Sequence, residues 1–250
     1  MIRGLYTAVS GMVATARRME VATNNLSNAE TVGYKQERTA GAAFDEQLVA
    51  RLTAQSGRDL GRLTLANVPQ VPLLDLGQGA LQATDRPLDV ALEGPGFLAV
   101  DTAQGTRYTR DGSLTRDADG YLTTQAGARV LGEYGPIQVG GGAVTIDADG
   151  TVRAGDAAID RLQVVEFGPD DVLERVGRNE LVPQQRDLQP QPAVATTVRQ
   201  GYVEASNVDV TGVLTTTLGL QRAYEANQRM IRAQDDLLSR AVTEIARPGN

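Results

Sequence analysis

Apolar and small residues recur with a helical period at both ends of the chain. Between residues 2 and 26 they alternate at spacings of four and three, which places them on one helix face: Leu5, Val9, Met12, Ala16, Met19, Thr23 and Leu26. The same alternation continues at the other end until Pro248 and Gly249, through Val210, Val213, Thr217, Leu220, Tyr224, Asn227, Ile231, Gln234, Leu238, Ala241 and Ile245. The pattern predicts two amphipathic helices that pair as a coiled-coil-like α domain.

The middle of the chain has a different pattern, in which short apolar segments are separated by glycine and aspartate. Asp111-Gly112, Asp119-Gly120 and Asp149-Gly150 are typical of tight hairpin turns, and we expect type I′ turns with positive φ at both residues. The middle therefore predicts a central antiparallel all-β domain, and the fold class is α+β.

These patterns divide the chain into five predicted segments. They are an N-terminal helix (1–35), a mixed segment (36–76) with a short helix around Phe44 to Leu52, the β domain (77–185), a Pro/Gln linker and return segment (186–208), and a C-terminal helix (209–250) that pairs with the first.

An asparagine cluster marks the end of the first helix, in the stretch "VATNNLSNAETVGYK" at 21–35. Asparagine tolerates left-handed backbone and bonds its own main chain, so we expect residues 24–28 to end the helix and Gly33 to bend the chain further. In "ASNVDVT" at 205–211, Ser206, Asn207 and Asp209 are candidates to cap the returning helix.

Composition excludes most catalytic chemistry. The chain has no cysteine and no histidine, which removes thiolate and histidine nucleophile pairs, disulfides and most transition-metal sites. Only carboxylate, lysine or tyrosine chemistry is left. We therefore predict no catalytic, cofactor-binding or metal-binding residue, and no cofactor.

Three groups of residues have a chemical alternative that we disfavour. The Asp-Ala-Asp-Gly pairs at 117–120 and 147–150 lack the glycine and glutamate spacing of a calcium loop, so we interpret them as turns. The glycine-rich loops at 94–96 and 140–142 do not open a helix behind a strand, as a phosphate loop requires. Asp89 and Glu93 are expected on the solvent side of a strand that buries alternate residues.

Charge and hydropathy limit the partners. The net charge is -7 and the pI about 4.8, which disfavours nucleic acid. Residues 1–38 carry five basic and three acidic groups and residues 200–250 five and six, so the nearly neutral ends suit close packing against copies. No segment approaches the roughly 20 apolar residues of a membrane span, so no direct membrane insertion is expected. No secretory signal precedes the helix, so export would cleave no signal peptide.

Three blocks of the chain resemble the axial rod and hook proteins of the bacterial flagellum. The first, residues 4–35, is similar to the N-terminal signature of the family at Asn24, Asn25, Leu26, Asn28, Thr31, Gly33 and Tyr34. The second, residues 88–132, resembles the β domain shared by rod proteins of the FlgF and FlgG types. The third, residues 200–231, resembles the C-terminal signature at Gly201, Glu204, Ser206, Asn207, Val208, Arg222, Tyr224, Glu225 and Asn227. Length and the later hairpins favour the FlgF type, while the opening "MIRGLYTAVSGM" is equally similar to the FlgG type.

The resemblance implies a non-enzymatic subunit of the periplasm-spanning rod of the basal body, which transmits torque. Its partners would be copies of itself, other rod and axial proteins, and the flagellar type III export apparatus. The implied assembly seam is Leu5, Val9, Met12, Ala16, Met19, Leu26, Val213, Leu220, Tyr224, Ile231, Leu238 and Ile245. The implied joint residues between helices and β domain are Asn24, Asn25, Asn28, Gly33, Glu204, Ser206, Asn207, Arg222 and Asn227.

The competing hypothesis is a soluble β-domain glycan binder or carboxylate-based enzyme with helical appendages. It requires a concave cluster of carboxylates and aromatic rings. The chain holds three phenylalanines, seven tyrosines and no tryptophan, which is poor material for a sugar platform.

Overall fold

A computed structural model describes residues 2–39, 72–168, 171–185 and 188–245; at residues 2–7, 238 and 241–245 it describes the backbone alone. The chain divides into two compact units. The helix unit contains residues 1–26, 37–72 and 210–250, and the β unit contains residues 27–36 and 73–209. The predicted α+β class is confirmed. The short helix predicted around Phe44 to Leu52 lies outside the described residues.

Two helices are described in the helix unit, α1 (Ile2–Ser27) and α2 (Val210–Ile245). Helix α1 ends inside the asparagine cluster, as predicted. Helix α2 runs without a break through three consecutive threonines, whose hydroxyls donate to the carbonyls four residues earlier at 2.8–2.9 Å. These local bonds satisfy the hydroxyls within the helix, although β-branched residues weaken its intrinsic stability.

The buried face of α1 is formed mainly by small residues. Among the α1 side chains that the structure describes, Ala8, Thr15, Ala22 and Asn25 are buried, and a Cβ added at Gly11 would lie 3.2 Å from the Asn227 amide nitrogen of α2. Each residue of this face directly precedes, in sequence, a residue of the predicted apolar seam of α1. The reason is steric, since small side chains let two helix backbones approach closely. The predicted seam residues Val9 and Ala16 are exposed.

On α2 the predicted seam is the less exposed face. Val213 is buried, and the partly buried positions that follow it include Thr217, Leu220, Tyr224, Asn227, Ile231 and Gln234. The two ends of the chain thus differ, because α2 turns its predicted seam inward whereas α1 packs through the neighbouring stripe.

The strands are short. They are β1 (Glu37–Thr39), β2 (Pro72–Leu74), β3 (Leu81–Ala83), β4 (Val90–Glu93), β5 (Phe97–Thr102), β6 (Gly105–Thr109), β7 (Leu114–Arg116), β8 (Leu122–Thr124), β9 (Arg129–Val130), β10 (Val144–Ile146), β11 (Thr151–Ala154), β12 (Ala157–Arg161), β13 (Val164–Glu166), β14 (Leu173–Val176), β15 (Glu180–Pro183), β16 (Gln191–Pro192), β17 (Thr197–Gln200) and β18 (Tyr202–Glu204).

The β unit is antiparallel, as predicted. Its largest sheet has the strand order β14-β15-β6-β5-β9-β8-β7, and β13 joins β5 to β16. Strands β10, β11 and β12 form a separate three-stranded sheet, while β17 pairs with β4 and β18 pairs with β3. The last two pairings bring part of the predicted linker and return segment, residues 197–204, into the β unit.

Two hydrophobic clusters form the interior of the β unit. The larger is aliphatic, and its residues of lowest exposure include Val100, Leu114, Leu122, Val130 and Val152. The smaller is aromatic, with the Phe167 ring edge-on to Phe97 and Tyr108 at centroid distances of 5.7 and 5.0 Å. Burying each large apolar side chain contributes about 1.5–3 kcal/mol.

Two local predictions for the β unit are wrong. The turn glycines Gly120 and Gly150 have φ near +84° and +88°, but the aspartates before them keep negative φ, and Gly112 has no positive φ. The Gly120 N–H donates to the Asp117 carbonyl, which closes a three-residue loop rather than a type I′ turn.

Asp89 is the second correction. Its side chain is 2 % exposed, whereas Glu93 lies 56 % exposed at the end of the same strand. Strand β4 buries three consecutive residues, 90–92, because both of its faces are covered, so simple alternation does not apply to it.

No helix in the described ranges is long and apolar enough to cross a lipid bilayer.

Candidate functional site

A buried carboxylate connects three distant parts of the sequence. The Glu204 side chain accepts a hydrogen bond from the Lys35 ammonium at 2.6 Å and another from the Arg110 guanidinium at 3.1 Å. All three side chains are at most 2 % exposed. We call residues 32–36, 203–207 and Arg110 the joint, since they tie both signature segments to the β domain.

Backbone groups complete the hydrogen bonding around the joint. The Glu204 oxygen that accepts from Lys35 also accepts from the Gly79 N–H, at 2.8 Å. The Lys35 ammonium donates in addition to the Gly77 carbonyl at 2.7 Å. Arg110 donates to the Leu92 carbonyl. Buried charges are tolerated only when they are paired and hydrogen-bonded in this way, because desolvation costs several kcal/mol per ion.

Burial dominates the electrostatics of the two cations. Desolvation lowers the pKa of the Lys35 ammonium below its ordinary value, and the ion pair with Glu204 opposes this shift. Desolvation lowers the pKa of Arg110 in the same way, again opposed by Glu204. The carboxylate therefore compensates both buried cations, and its loss would leave two like charges without a counterion.

Gly33 provides the bend that brings Lys35 to Glu204. Its φ is +66°, and its N–H donates to the Glu204 carbonyl at 2.7 Å. A Cβ at this position would overlap the Arg110 carbonyl group. Only glycine satisfies both the left-handed conformation and this close approach of two backbones.

A hairpin of the large sheet covers the N-terminal signature segment. Arg175 on β14 lies with its guanidinium 3.9 Å from the centroid of the buried Tyr34 ring and donates to the Lys35 carbonyl. Asn179, in the turn before β15, donates to the Val32 carbonyl. A cation over an aromatic face contributes about 0.5–2 kcal/mol, so these contacts fix segment 32–35 against the sheet.

The asparagines of the two signatures bond to backbone groups. Asn25 exchanges two hydrogen bonds with the main chain of Glu37, at 2.7 and 2.9 Å. Asn28 accepts from Thr31 in the turn after α1. Asn207 accepts from the Gln36 N–H and donates to the carbonyls of Asp75 and Gly77.

Ser206 and Asn207 therefore do not cap α2, contrary to the prediction. The Ser206 hydroxyl accepts from the Val208 N–H before the helix begins, and the Asn207 amide is used within the β unit. Asp209 stands directly before the first helical residue.

The predicted joint residues separate into two groups. The structure brings Gly33, Glu204 and Asn207 together. It places Asn24 exposed on α1, Arg222 exposed on α2, and Asn227 on α2 facing Gly11. Sequence reasoning missed Lys35 and Arg110. The available signal was that Lys35 is the only lysine in the chain and directly follows the signature Gly33-Tyr34.

Bulky apolar residues remain exposed on both helices. Val9 and Val13 of α1 are 45 and 51 % exposed, and on α2 the exposed positions include Leu214, Leu218, Met230 and Leu237. Of the predicted assembly seam, Met12, Met19 and Leu26 are partly buried, and the side chains of Leu5, Leu238 and Ile245 lie outside the described part of the structure.

The carboxylates that the sequence analysis considered for chemistry lie apart or bond within their own turns. Asp89 is buried and Glu93 exposed, so they do not share a site. The Asp117 carboxylate accepts the N–H groups of Asp119 and Tyr121 in its own turn. Within the described ranges no three His, Cys, Asp or Glu residues are grouped as a metal site.

Asp111 offers a pH-dependent test of the β unit. Burial raises the pKa of its carboxyl above the ordinary value, and the hydrogen bonds from Ser113 only partly offset this. The folded state therefore binds more protons than the unfolded state between the ordinary pKa, about 3.9, and the raised one, and stability falls as the pH rises through that window. We expect Asp111→Asn to raise the thermal midpoint at pH 7 by a few degrees, and the gain to disappear near pH 3.

Asp149→Asn is the matched control in a second Asp-Gly turn. Hydrogen bonds from the Thr151 N–H and hydroxyl lower the pKa of Asp149, so its charged form is favoured on folding. The Asp149 carboxylate therefore stabilises the folded state at pH values above its ordinary pKa, and this stabilisation is lost as the pH falls. Scanning calorimetry of both variants from pH 3 to 8 should show shifts of opposite sign, and equal shifts would contradict the burial of the Asp111 charge.

Comparison with known proteins gives matches along the whole chain. A family model described as Flagella basal body rod protein matches residues 5–35, one described as Flagellar hook protein FlgE/F/G D1 domain matches residues 91–154, and one described as Flagellar basal body rod FlgEFG protein C-terminal matches residues 199–244. The joint uses residues of the first and last matched blocks and Arg110 of the middle one.

Several curated relatives are similar over nearly their full length. FlgF of Escherichia coli is 34 % identical, with 96 % of this chain and 97 % of the relative covered. FlgF of Caulobacter vibrioides is 32 % identical with 99 % of each covered, and FlgG of Bacillus subtilis is 31 % identical with 97 and 98 % covered.

The fold and site define a class of α+β protein in which a buried ionic joint ties residues 32–36 and 203–207 together within the β unit. The chain belongs to the family of flagellar basal-body rod proteins of the FlgF/FlgG type. Relatives with either name match at similar identity, so the comparisons do not separate the two types.

Proposed function

We propose that the chain is a structural, non-enzymatic subunit of the flagellar basal-body rod, which polymerises through its terminal helices with copies of itself and other axial proteins. The observation that carries the proposal is the exposed apolar surface of the two helices in a chain of this family. Val9, Leu214 and Leu218 are each at least 45 % exposed. Burying a side chain of this size against a partner contributes up to about 1.5–3 kcal/mol.

The predicted assembly seam of α1 suits contacts between subunits. The stripe of small residues meets α2 at Gly11, whereas Val9 and Ala16 of the seam are exposed in a single chain. A helix with two usable faces can pair within its own subunit and pack against a neighbour at the same time. We therefore propose that the seam of α1 contacts a neighbouring subunit.

The joint suits a role in carrying torque. Its ion pairs and hydrogen bonds connect segment 32–36, strand β18 and the β sheet without relying on apolar contacts, which have no preferred direction. Charge-assisted hydrogen bonds fix distance and angle. A load applied to either signature segment would therefore reach the β domain through directional bonds.

We further propose export by the flagellar type III apparatus without a cleaved signal peptide, with the subunit located in the periplasm-spanning part of the basal body. In this proposal α1 is not itself a cleaved segment, because Gly11 of α1 faces Asn227 of α2 in the folded helix pair.

A substitution at the exposed seam tests the proposal. We expect Val9→Asp to leave the fold of the isolated protein unchanged, since Val9 is 45 % exposed. The same change should abolish incorporation into basal bodies and motility in soft agar, because a carboxylate buried at a subunit contact costs several kcal/mol. Incorporation is measured by mass spectrometry of basal bodies from cells that carry only the variant, which also reads the N-terminal peptide.

Val194→Asp is the matched control. It makes the same chemical change at a valine of the β unit that is 95 % exposed. We expect it to be incorporated normally. Normal rods with Val9→Asp would contradict the seam assignment, and recovery of a subunit truncated within α1 would contradict export without cleavage.

A further inference from the structure

Two helices with heptad patterns can pair in more than one register. A shift of seven residues restores a similar sequence of facing positions and moves one helix by about 10.5 Å along the other. Such a shift would change which exposed residues of α1 and α2 lie side by side. A helix pair of this kind requires a feature that favours one register.

The structure holds one such feature at the contact between Gly11 and Asn227. The nearest atoms to a Cβ built on Gly11 all belong to the Asn227 carboxamide, at 3.2, 3.4 and 3.5 Å. The amide thus occupies the space that a side chain at position 11 would fill. Gly219 of α2, in contrast, has no atom within 4 Å of its built Cβ among the residues described.

The pairing is antiparallel. Asn25, near the end of α1, bonds to Glu37, and the adjacent Gln36 bonds to Asn207, just before α2 begins. Gly11 and Asn227 lie at nearly equal distances in sequence from those helix ends. Counting eleven residues along each helix from the Gly11–Asn227 contact brings Ala22 to Thr216 and the adjacent Thr217, of which Thr217 is the less exposed.

We propose that Asn227 is a positioning residue that, by inserting its amide over Gly11, selects the observed register over the one in which α2 is shifted by seven residues toward the end of α1. If α2 shifts by seven residues so that Tyr224 comes level with Ala22, Asn227 faces Arg18, where no glycine leaves room. A single polar residue on a pairing face is a known means of selecting one register, at some cost in stability. The register concerns the single chain, and only its consequence for assembly rests on the proposed function, because it sets which exposed apolar residues meet a neighbour.

Engineered cysteines test the register in the full-length monomer, since the chain has no cysteine of its own. The pair Ala22→Cys with Thr217→Cys reports the observed register, and Ala22→Cys with Tyr224→Cys reports the shifted one. Under mild oxidation we expect the first pair to close a disulfide and the second to stay reduced. With Asn227→Ala added, we expect both pairs to close, with at least a tenfold gain in the shifted pair, while helix content by circular dichroism is retained.

Glycine substitutions give a second readout. Gly11→Leu should displace the amide and abolish the disulfide of the first pair, whereas Gly219→Leu, on an open face of α2, should leave it unchanged. Two results would overturn the proposal: exclusive closure of the first pair with Asn227→Ala, or loss of both disulfides with that variant, which would show that Asn227 supports pairing itself. Both readouts use unassembled protein, so they are independent of whether the subunit enters a rod.

Discussion

Replacing Glu204 with glutamine is expected to lower the free energy of unfolding of the β unit by about 3–5 kcal/mol. The substitution keeps the shape of the side chain and removes its charge. Lys35 and Arg110, both at most 2 % exposed, would then remain buried without a counterion. Removing one partner of a buried ion pair is costly because the desolvation of the other is no longer compensated.

Glu93→Gln is the matched control for this change. Glu93 also pairs with an arginine, Arg199, but the two side chains are 56 and 45 % exposed and 3.7 Å apart. An exposed pair contributes about 0–1 kcal/mol. Urea unfolding, followed by the near-ultraviolet circular dichroism of the buried tyrosines, measures the free energy of unfolding of both variants. Similar losses for Glu204→Gln and Glu93→Gln would refute the importance of the joint.

A double substitution tests whether the Glu204 carboxylate acts by compensating the charge of Lys35. Lys35→Met combined with Glu204→Gln should lower the free energy of unfolding by clearly less than the sum of the two single losses. The double variant no longer holds the Lys35 charge, so fewer unpaired charges are buried. Residues of one ionic network are expected to show such coupling, of about 0.5–3 kcal/mol.

Gly33→Ala is expected to destabilise the β unit by more than about 4 kcal/mol, a loss that few single substitutions reach. Alanine at φ +66° costs about 1–2 kcal/mol by itself. Its Cβ would also overlap the backbone of Arg110, so segment 32–36 would have to leave its position against Glu204. The measurement is the urea midpoint of the β unit.

Gly177→Ala isolates the conformational part of this loss. Gly177 has nearly the same φ, +69°, and no described atom lies within 4 Å of its built Cβ. The Gly177→Ala variant should therefore lose only roughly 1–2 kcal/mol of unfolding free energy, which is the cost of placing alanine in the left-handed conformation. A loss at Gly33 no greater than that at Gly177 would show that the backbone at Arg110 yields to the methyl group.

Periodicity was enough to predict the elements of the fold. The two helices follow from spacings of three and four, and α1 ends at Ser27 because Asn28 favours a turn, in which it accepts hydrogen bonds from Thr31. The β domain follows from short apolar runs between aspartate and glycine. These signals are local, so they can be recognised in a single sequence.

The pairing face of α1 was not predictable by the same means. The sequence places its bulkier apolar residues at Val9, Met12 and Met19, which marks one seam. The structure instead buries the neighbouring stripe of Ala8 and Thr15 and places Gly11 of that stripe against α2. Hydrophobicity alone ranks the bulkier stripe first. Close approach of two backbones favours the smaller one, and this preference depends on the partner helix rather than on α1.

The joint was predicted only in part, because its residues meet from three distant segments. Gly33, Glu204 and Asn207 were recognised through the family resemblance, whereas Arg110 lies in the β domain 94 residues before Glu204. A buried arginine has no sequence signal of its own, since most arginines are exposed. Asp89 was misplaced for a similar reason, as the covering of both faces of β4 is set by tertiary contacts.

Burial of Lys35 has a consequence for the chemistry of the folded subunit. It is the only lysine, and folding leaves 2 % of its side chain accessible. Succinimidyl esters and aldehydes, which attack side-chain amines to fix or label protein complexes, therefore have no lysine to react with while the joint is closed. Acylation at Lys35 would mark those molecules whose joint was open during the exposure to reagent, so the mass of the peptide that contains Lys35 distinguishes folded from unfolded chains.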